Sequence, residues 1–318
     1  MEVERKPLIV IGGATGVGKT ELSLQLARAI GGEIISADSM AVYKYMDIGT
    51  AKPSPAERRA IRHYLIDVVE PNETFSIKQF IDLADEAVRE IWERGKVPIV
   101  VGGTYMYIHP FLFGLAETPP GDWELRKKLY ERAEREGKDK LWEELLKIDP
   151  QYAAKIHPND LRRIVRALEV YTLTGKPYSS FHTNWENAKP RYPYLGVFLY
   201  RPWEEQYRRI RNRVWDMIRD GLLGEIRKLL DMGFKEAITS PQAIDYKEFI
   251  PYFEGRKNLL ECIGDTIRHT KEQAKRQIRW FKRYNDWLKL DLSKISTPEA
   301  VERIIREYRR RFSNGESP

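Results

Sequence analysis

The chain has a single cysteine, Cys262, which excludes an internal disulfide and any zinc site built on cysteines. Its five histidines, His63, His109, His157, His182 and His269, are scattered without ligand spacing, so each reads as structural or surface. No apolar run approaches the length of a membrane span, and the opening residues MEVERKP are charged, unlike a signal peptide. Internal repeats are absent. These deficits leave a cytoplasmic protein with no membrane attachment as the expectation. Acidic residues are also short in supply, 47 against 54 lysines and arginines, for a net charge of +7. A pI near 9.2 points to an anionic partner larger than one nucleotide. At 318 residues with 42% hydrophobic content, the chain can bury a substantial core, as one domain with an insertion or as two domains.

What is present begins with residues 12–20, GGATGVGKT, directly after the apolar run Leu8-Ile9-Val10-Ile11. This is the phosphate-binding pattern G-x-x-x-x-G-K-T, with Gly13, Gly18, Lys19 and Thr20 in register. A loop of small side chains can turn backbone N–H groups toward one anion, and the following helix adds its positive end. Lys19 supplies a point charge, and the Thr20 hydroxyl can ligate magnesium.

The runs LIVIGG (8–13), EIISAD (33–38), YLIDVV (64–69), VPIVVGG (97–103) and YLGVFLY (194–200) read as short strands. Thr20–Ile30 reads as a helix stopped by Gly31-Gly32. Ser76 with Gln79 forms a capping-box pattern for a helix that turns Phe80, Ala84, Ala87, Val88 and Ile91 inward and ends at Gly95. Strands alternating with helices predict an α/β fold, a doubly wound parallel sheet of the phosphate-loop type. Residues 115–189 are helical and charged, with a helix starting near Asn159-Asp160 and closed by Gly175 and Pro177. They predict a helical insertion in a catalytic core formed by residues 1–114 and 190–318, whose last part is largely helical. The tail SNGESP reads as frayed.

Ligands of such sheets lie at the carboxyl ends of the strands, so GATGVGKT, SADSM and VGGTYMY should converge on one crevice. Asp38 ends the second run and faces the phosphate loop. Position alone leaves open whether it accepts a proton, caps a helix or binds magnesium. The most apolar strand, VPIVV, is followed by Gly102-Gly103-Thr104 rather than by the metal-holding carboxylate of a phosphate-loop hydrolase. That argues for a reaction on something other than a terminal phosphate. A phosphate-loop small-molecule kinase that uses ATP is the alternative reading.

Cations recur at helical spacing in three stretches: Arg162 and Arg166 beside Leu161, Ile164, Val165 and Leu168; Arg209 and Arg213 beside Ile210, Val214 and Met217; and Arg268, Lys271, Lys275, Arg279 and Lys282 among Trp280, Phe281, Tyr284 and Trp287. Such stripes can follow a phosphate backbone, and three of them in one basic chain favour RNA over plain solvated faces.

Taken in order and spacing, GATGVGKT, SADSMAVYKYMDIGTAKP, VPIVVGGTYMY, HPNDLRRIVRALEVYTLTGKP, QAIDYKE and AKRQIRWFKR resemble the tRNA dimethylallyltransferase (tRNA isopentenyltransferase) family, bacterial type, from about Pro7 to about Leu292. The resemblance implies transfer of a dimethylallyl group from dimethylallyl diphosphate to N6 of adenosine-37, next to the anticodon in the tRNA anticodon stem-loop. It implies that Gly13, Ala14, Thr15, Gly16, Val17, Gly18, Lys19 and Thr20 hold the diphosphate, with Mg2+ on Thr20 as the cofactor. By the same resemblance Asp38, Thr104 and Arg213 are catalytic. Contacts to tRNA would come from Asp38, Ser39, Met40, Ala41, Thr104 and Arg126, from Arg162, Arg163, Ile164, Val165 and Arg166 of the insertion, and from Gln242, Ala243, Ile244, Asp245, Tyr246 and Lys247. A monomer is expected. The chain departs from the family pattern at Ala41, where Gln is common, at Asp245, where Gly is common, at Arg62-His63 for the usual His pair, and at Ala14 for Pro. An acid at Asp245 beside RNA would be unfavourable. With one cysteine the chain cannot carry a Cys2His2 finger.

Overall fold

The computed structural model describes residues 6–116, 118–181 and 188–312. His182, the tail SNGESP and most of the opening MEVERKP lie outside the described residues. The chain divides into two compact units, Met1–Leu112 with Arg191–Pro318, and Phe113–Pro190.

The first unit is built on one parallel sheet of β1 (Leu8–Gly13), β2 (Gly32–Ser36), β3 (His63–Tyr64), β4 (Val97–Gly102), β5 (Tyr194–Tyr200) and β6 (Leu288–Asp291). Its order is β3-β2-β4-β1-β5-β6, so the phosphate-loop strand β1 is central. All six residues of β1 are buried, as a strand covered on both faces requires. On one face Ile9, Ile11, Leu22, Leu26, Leu199 and Ile304 share a core cluster. The helix Lys19–Ile30 contributes Leu22 and Leu26 to it and ends at Gly31 in the left-handed conformation. The helix Ile77–Glu93 starts with the capping box Ser76/Gln79 and buries Phe80, Ala84, Ala87, Val88 and Ile91, as the spacing predicts.

The YLIDVV expectation fails after one residue. β3 covers only His63–Tyr64, because Leu65 (φ 61°) and Asp67 (φ 58°) adopt left-handed backbone that no strand accepts. Asp67 is held there by Lys52, whose Nζ lies 2.6 Å away, and by Arg58. The strands β2 and β4 stop at Ser36 and Gly102, so Asp38, Gly103 and Thr104 lie just beyond their carboxyl ends. β6 has no counterpart among the expected strands.

Among its described residues the second unit has helices as its only regular elements. Trp123–Glu136, Lys138–Ile148 and Leu161–Thr174 enclose a separate core of Leu129, Leu141, Leu145, Ile164 and Leu168. The last helix is capped by Asp160 and closed by Gly175, as its sequence predicts.

Candidate active site

The phosphate loop is held by its carbonyl groups. Gln206 Nε2 donates to Thr15 O (2.6 Å), Arg209 Nε to Gly16 O (2.7 Å) and Arg201 Nε to Val17 O (3.0 Å). The Lys19 ammonium donates to Gly13 O (3.0 Å) and Ala14 O (2.8 Å). With the carbonyls taken from outside, the amide edge is left for an anion. Not every amide is available, contrary to the simple loop picture. Thr15 N–H goes to Gln277 Oε1 (2.9 Å), and Val17 N–H goes to Ala14 O (3.3 Å). The amides of Gly16 and Gly18 have no acceptor among the described residues. Gly18 (φ 113°) takes a left-handed conformation that lets the loop enter the helix without a Cβ penalty. Ala14 and Val17 turn their side chains into the core. Burial lowers the Lys19 ammonium to about 8, Asp38 partly restores it, and Arg213 lowers it further.

Asp38 and Thr104 meet across the ends of β2 and β4. Thr104 N–H donates to Ala37 O (3.3 Å), and Ser39 N–H donates to Thr104 Oγ1 (3.2 Å). Asp38 Oδ1 accepts from Met40 N–H (2.8 Å) and Ala41 N–H (3.3 Å), which leaves Oδ2 without a donor among the described residues. A Cβ on Gly102 would strike the Ala37 carbonyl, so glycine is what lets these two strand ends approach. Gln277 ties the arrangement to the phosphate loop by accepting from Thr15 and donating to Gly103 O (3.0 Å).

The phosphate loop, Asp38, Thr104 and Arg213 line one cavity of about 590 Å³. That is within the usual range for a small-molecule site. The Arg213 guanidinium is tethered by Gly49 O (3.4 Å), and Gly49 through Pro53 form part of the same wall. Glu225 anchors that wall. Its carboxylate accepts from the amides of Asp47 (3.0 Å), Ile48 (2.9 Å) and Gly49 (3.3 Å), and from Tyr246 Oη (2.6 Å). Lys52, with a side chain 1% exposed, pins the far side of the loop through Tyr43 O (2.6 Å), Asp47 and Asp67. Gln206 and Glu225 carry no motif signal. Gln277 belongs to the AKRQIRW segment, and Arg209, spaced in sequence like an RNA-facing stripe, clasps the loop instead.

Several expected RNA contacts are displaced by the structure. Ile164 and Val165 are buried in the core of the second unit, as the inward positions of an amphipathic helix must be. Arg126 and Arg166 are drawn to Glu169, which is fully buried and accepts from Arg126 Nε (2.9 Å) and Arg166 Nη1 (2.5 Å). Arg166 also reaches Thr118 and Pro119 O (2.8 Å). Arg162 and Arg163 remain exposed. In the Gln242–Lys247 stretch, Ala243 and Tyr246 are buried, whereas Gln242 is exposed. Asp245 is not a surface acid; with Ile244 it lines the cavity. In the third stripe Phe281 and Trp287 are core residues, and Trp280 stacks on Tyr105 at 4.3 Å. Lys275 lies 5.0 Å above the Trp203 ring, and Arg268 is paired with Asp265. Arg279 and Lys282 stay exposed without an ion pair among the described residues.

Residues 41–284 match the family model described as IPP transferase. A tRNA dimethylallyltransferase of Aquifex aeolicus is 56% identical over 302 residues, which cover 95% of this chain and 97% of that protein. The crystal structure of the full-length tRNA isopentenylpyrophosphate transferase of Bacillus halodurans is 36% identical with a TM-score of 0.70, covering 97% of this chain and 98% of that one. A eukaryotic dimethylallyltransferase acting on tRNA is 33% identical with a TM-score of 0.78, over 93% and 78% of the two chains.

Proposed function

The chain belongs to the IPP transferase (tRNA dimethylallyltransferase) family, and on that premise we propose how it carries out tRNA prenylation. It is an enzyme, a prenyltransferase. The donor is dimethylallyl diphosphate and the acceptor is N6 of adenosine-37 in the anticodon stem-loop. The observation that supports this reading is one cavity shared by a phosphate loop and the Asp38 carboxylate, whose Oδ2 has no donor among the described residues.

The diphosphate sits against the Gly16 and Gly18 amides, Lys19 and Arg213. These groups stabilise the charge that grows on the leaving group as the C1–O bond of the donor breaks. The N6 lone pair is delocalised into the adenine ring, so the amine is a poor nucleophile. Asp38 Oδ2 orients it and takes its proton as the N6–C1 bond forms, and Thr104 contacts the base. The acceptor base leaves the loop stack to reach this cavity.

No cluster of three acidic, histidine or cysteine groups able to hold a metal occurs among the described residues. The exposed Thr20 hydroxyl at the cavity wall fits magnesium only in the style of nucleotide sites, where substrate phosphate oxygens complete the shell. When bound, Mg2+ offsets charge on the departing diphosphate. RNA backbone contacts come from the exposed Arg162, Arg163, Gln242, Arg279 and Lys282. The enzyme works as a cytoplasmic monomer. Among the described residues no helix is long and apolar enough to cross a membrane.

The direct test is incubation of unmodified tRNA with dimethylallyl diphosphate and magnesium, followed by nucleoside mass analysis. The expected product is adenosine carrying one added dimethylallyl group. Unmodified adenosine together with ATP turnover would overturn this reading in favour of a kinase.

A further inference from the structure

Asp245 puts a negative charge inside a site built to hold a negative ligand. It is 7% exposed and lines the cavity with Lys19, Arg213 and the phosphate loop. Its backbone is left-handed (φ 81°), a conformation for which glycine is the default and aspartate is tolerated. The side chain is therefore not there because the turn needs it. Its only side-chain hydrogen-bond partner among the described residues is the Thr270 hydroxyl, 3.3 Å from Oδ1. That contact is too weak to satisfy a buried carboxylate.

The charged groups around it come from four segments. Arg213, on the helix Trp203–Arg219, favours its ionised form, while Glu248 beside it and Asp38 beyond β2 oppose that form. Glu248 is in turn bound by His269 of the helix Leu259–Phe281, at 2.8 Å. Burial is the dominant influence and pushes Asp245 up to about 6.

We propose that Asp245 is a specificity-tuning residue, a fixed counter-charge that weakens the hold of the cavity on diphosphate and so speeds its release after transfer. Ionised, it offsets Arg213 and repels an incoming polyanion. Protonated, it no longer offsets Arg213, and Asp38 is the carboxylate left facing Lys19. The inference rests on the loop being the diphosphate site.

The test is calorimetric titration of inorganic pyrophosphate with magnesium into the full chain and its Asp245→Asn and Asp245→Gly variants, from about pH 5 to about pH 8. Both replacements suit a left-handed backbone, so folding is retained. At the upper pH the variants should bind about three- to tenfold more tightly than the parent. The ratio should fall toward one below about pH 6, where the parent carboxylate is protonated. Taking the ratio at each pH cancels the titration of pyrophosphate and of Lys19. A ratio of one throughout, or weaker binding by the variants, overturns the proposal and leaves the diphosphate reading intact. Absence of pyrophosphate binding by all three proteins overturns both.

Discussion

Tyr246 Oη donates to Glu225 Oε1 at 2.6 Å, and through this contact a buried ring locks the carboxylate that carries the cavity wall. The same carboxylate collects the amides of Asp47, Ile48 and Gly49, so three consecutive N–H groups converge on one anion. A Cβ on Gly49 would collide with the Tyr246 ring, which shows how closely wall and ring are fitted. Since Gly49 O receives Arg213, the position of that guanidinium is set at one remove by Glu225.

Glu225 is thus expected to act as a positioning residue. Glu225→Ala strands the loop amides and should cost about 1–3 kcal/mol of stability. It should also raise KM for the donor and lower kcat, cutting kcat/KM about tenfold or more, because Arg213, which holds the diphosphate and stabilises the charge growing on it, loses an anchor. Glu225→Gln keeps one accepting oxygen but turns an NH2 group toward loop amides, so it should rescue only part of the loss. Steady-state kinetics with varied donor separates the outcomes. An equal fall in kcat and kcat/KM would move Glu225 into the chemical step.

Asp38→Asn preserves the shape of the residue and removes its ability to take a proton. Turnover should fall by about two to four decades while tRNA affinity survives. The Asn side-chain oxygen can still accept from the Met40 and Ala41 amides, so the strand end should stay in place. Single-turnover prenylation beside filter binding of tRNA measures both. Undiminished turnover would remove Asp38 from proton transfer.

Lys19 links stability to pH in a direction opposite to that of a paired lysine. Its folded value is about 8 against an ordinary 10.5. Between these values the unfolded chain holds the proton and the folded chain does not, so stability should climb as pH rises through that window. Below pH 8 the charge is a full cost to the fold. Lys19→Met abolishes that pH slope, whatever it does to stability at neutral pH through loss of the bonds to Gly13 O and Ala14 O. Denaturant unfolding of both proteins across the window reads the slope. Donor binding by the parent should also weaken above about pH 8 as the ammonium is lost.

The parts of this architecture that were legible in sequence are those with local causes. The phosphate-loop pattern, the Ser76 box and the Gly175 stop are each written in residues a few positions apart, although Gln206, Arg209, Arg201 and Gln277 hold the loop from far along the chain. The YLIDVV run misled because Leu65 and Asp67 turn left-handed, and Asp67 is held there by Lys52 and Arg58, which local alternation does not register. β6 is four residues long, too short to announce itself. Glu225 was invisible because the amide of Ile48 that it receives lies 177 residues away. Counting cations at helical spacing also could not tell Arg162, which faces water, from Arg166, which faces a buried acid.

That last distinction is itself testable. Arg126 and Arg166 both bind Glu169, whose side chain is fully buried; losing Arg166 strips Oε2 of its donor, while Arg126 and the Asp122 amide still serve Oε1. Stranding one buried acceptor in this way typically costs about 1–3 kcal/mol. Arg166→Ala should therefore lower the unfolding midpoint sharply. Glu169→Gln should be milder, because the two arginines keep about a fifth of their side-chain surface in contact with water (20% and 23%) and can be solvated. Arg162→Ala touches no such pair and should leave the midpoint nearly unchanged. If Arg162 meets RNA phosphate, its loss should reduce the slope of log affinity for tRNA against log salt by about one unit or slightly less. The two readouts, thermal unfolding and salt-dependent tRNA binding, should thus separate the arginines in opposite directions. A large midpoint shift in Arg162→Ala, or an unchanged salt slope, would place RNA recognition elsewhere on the chain.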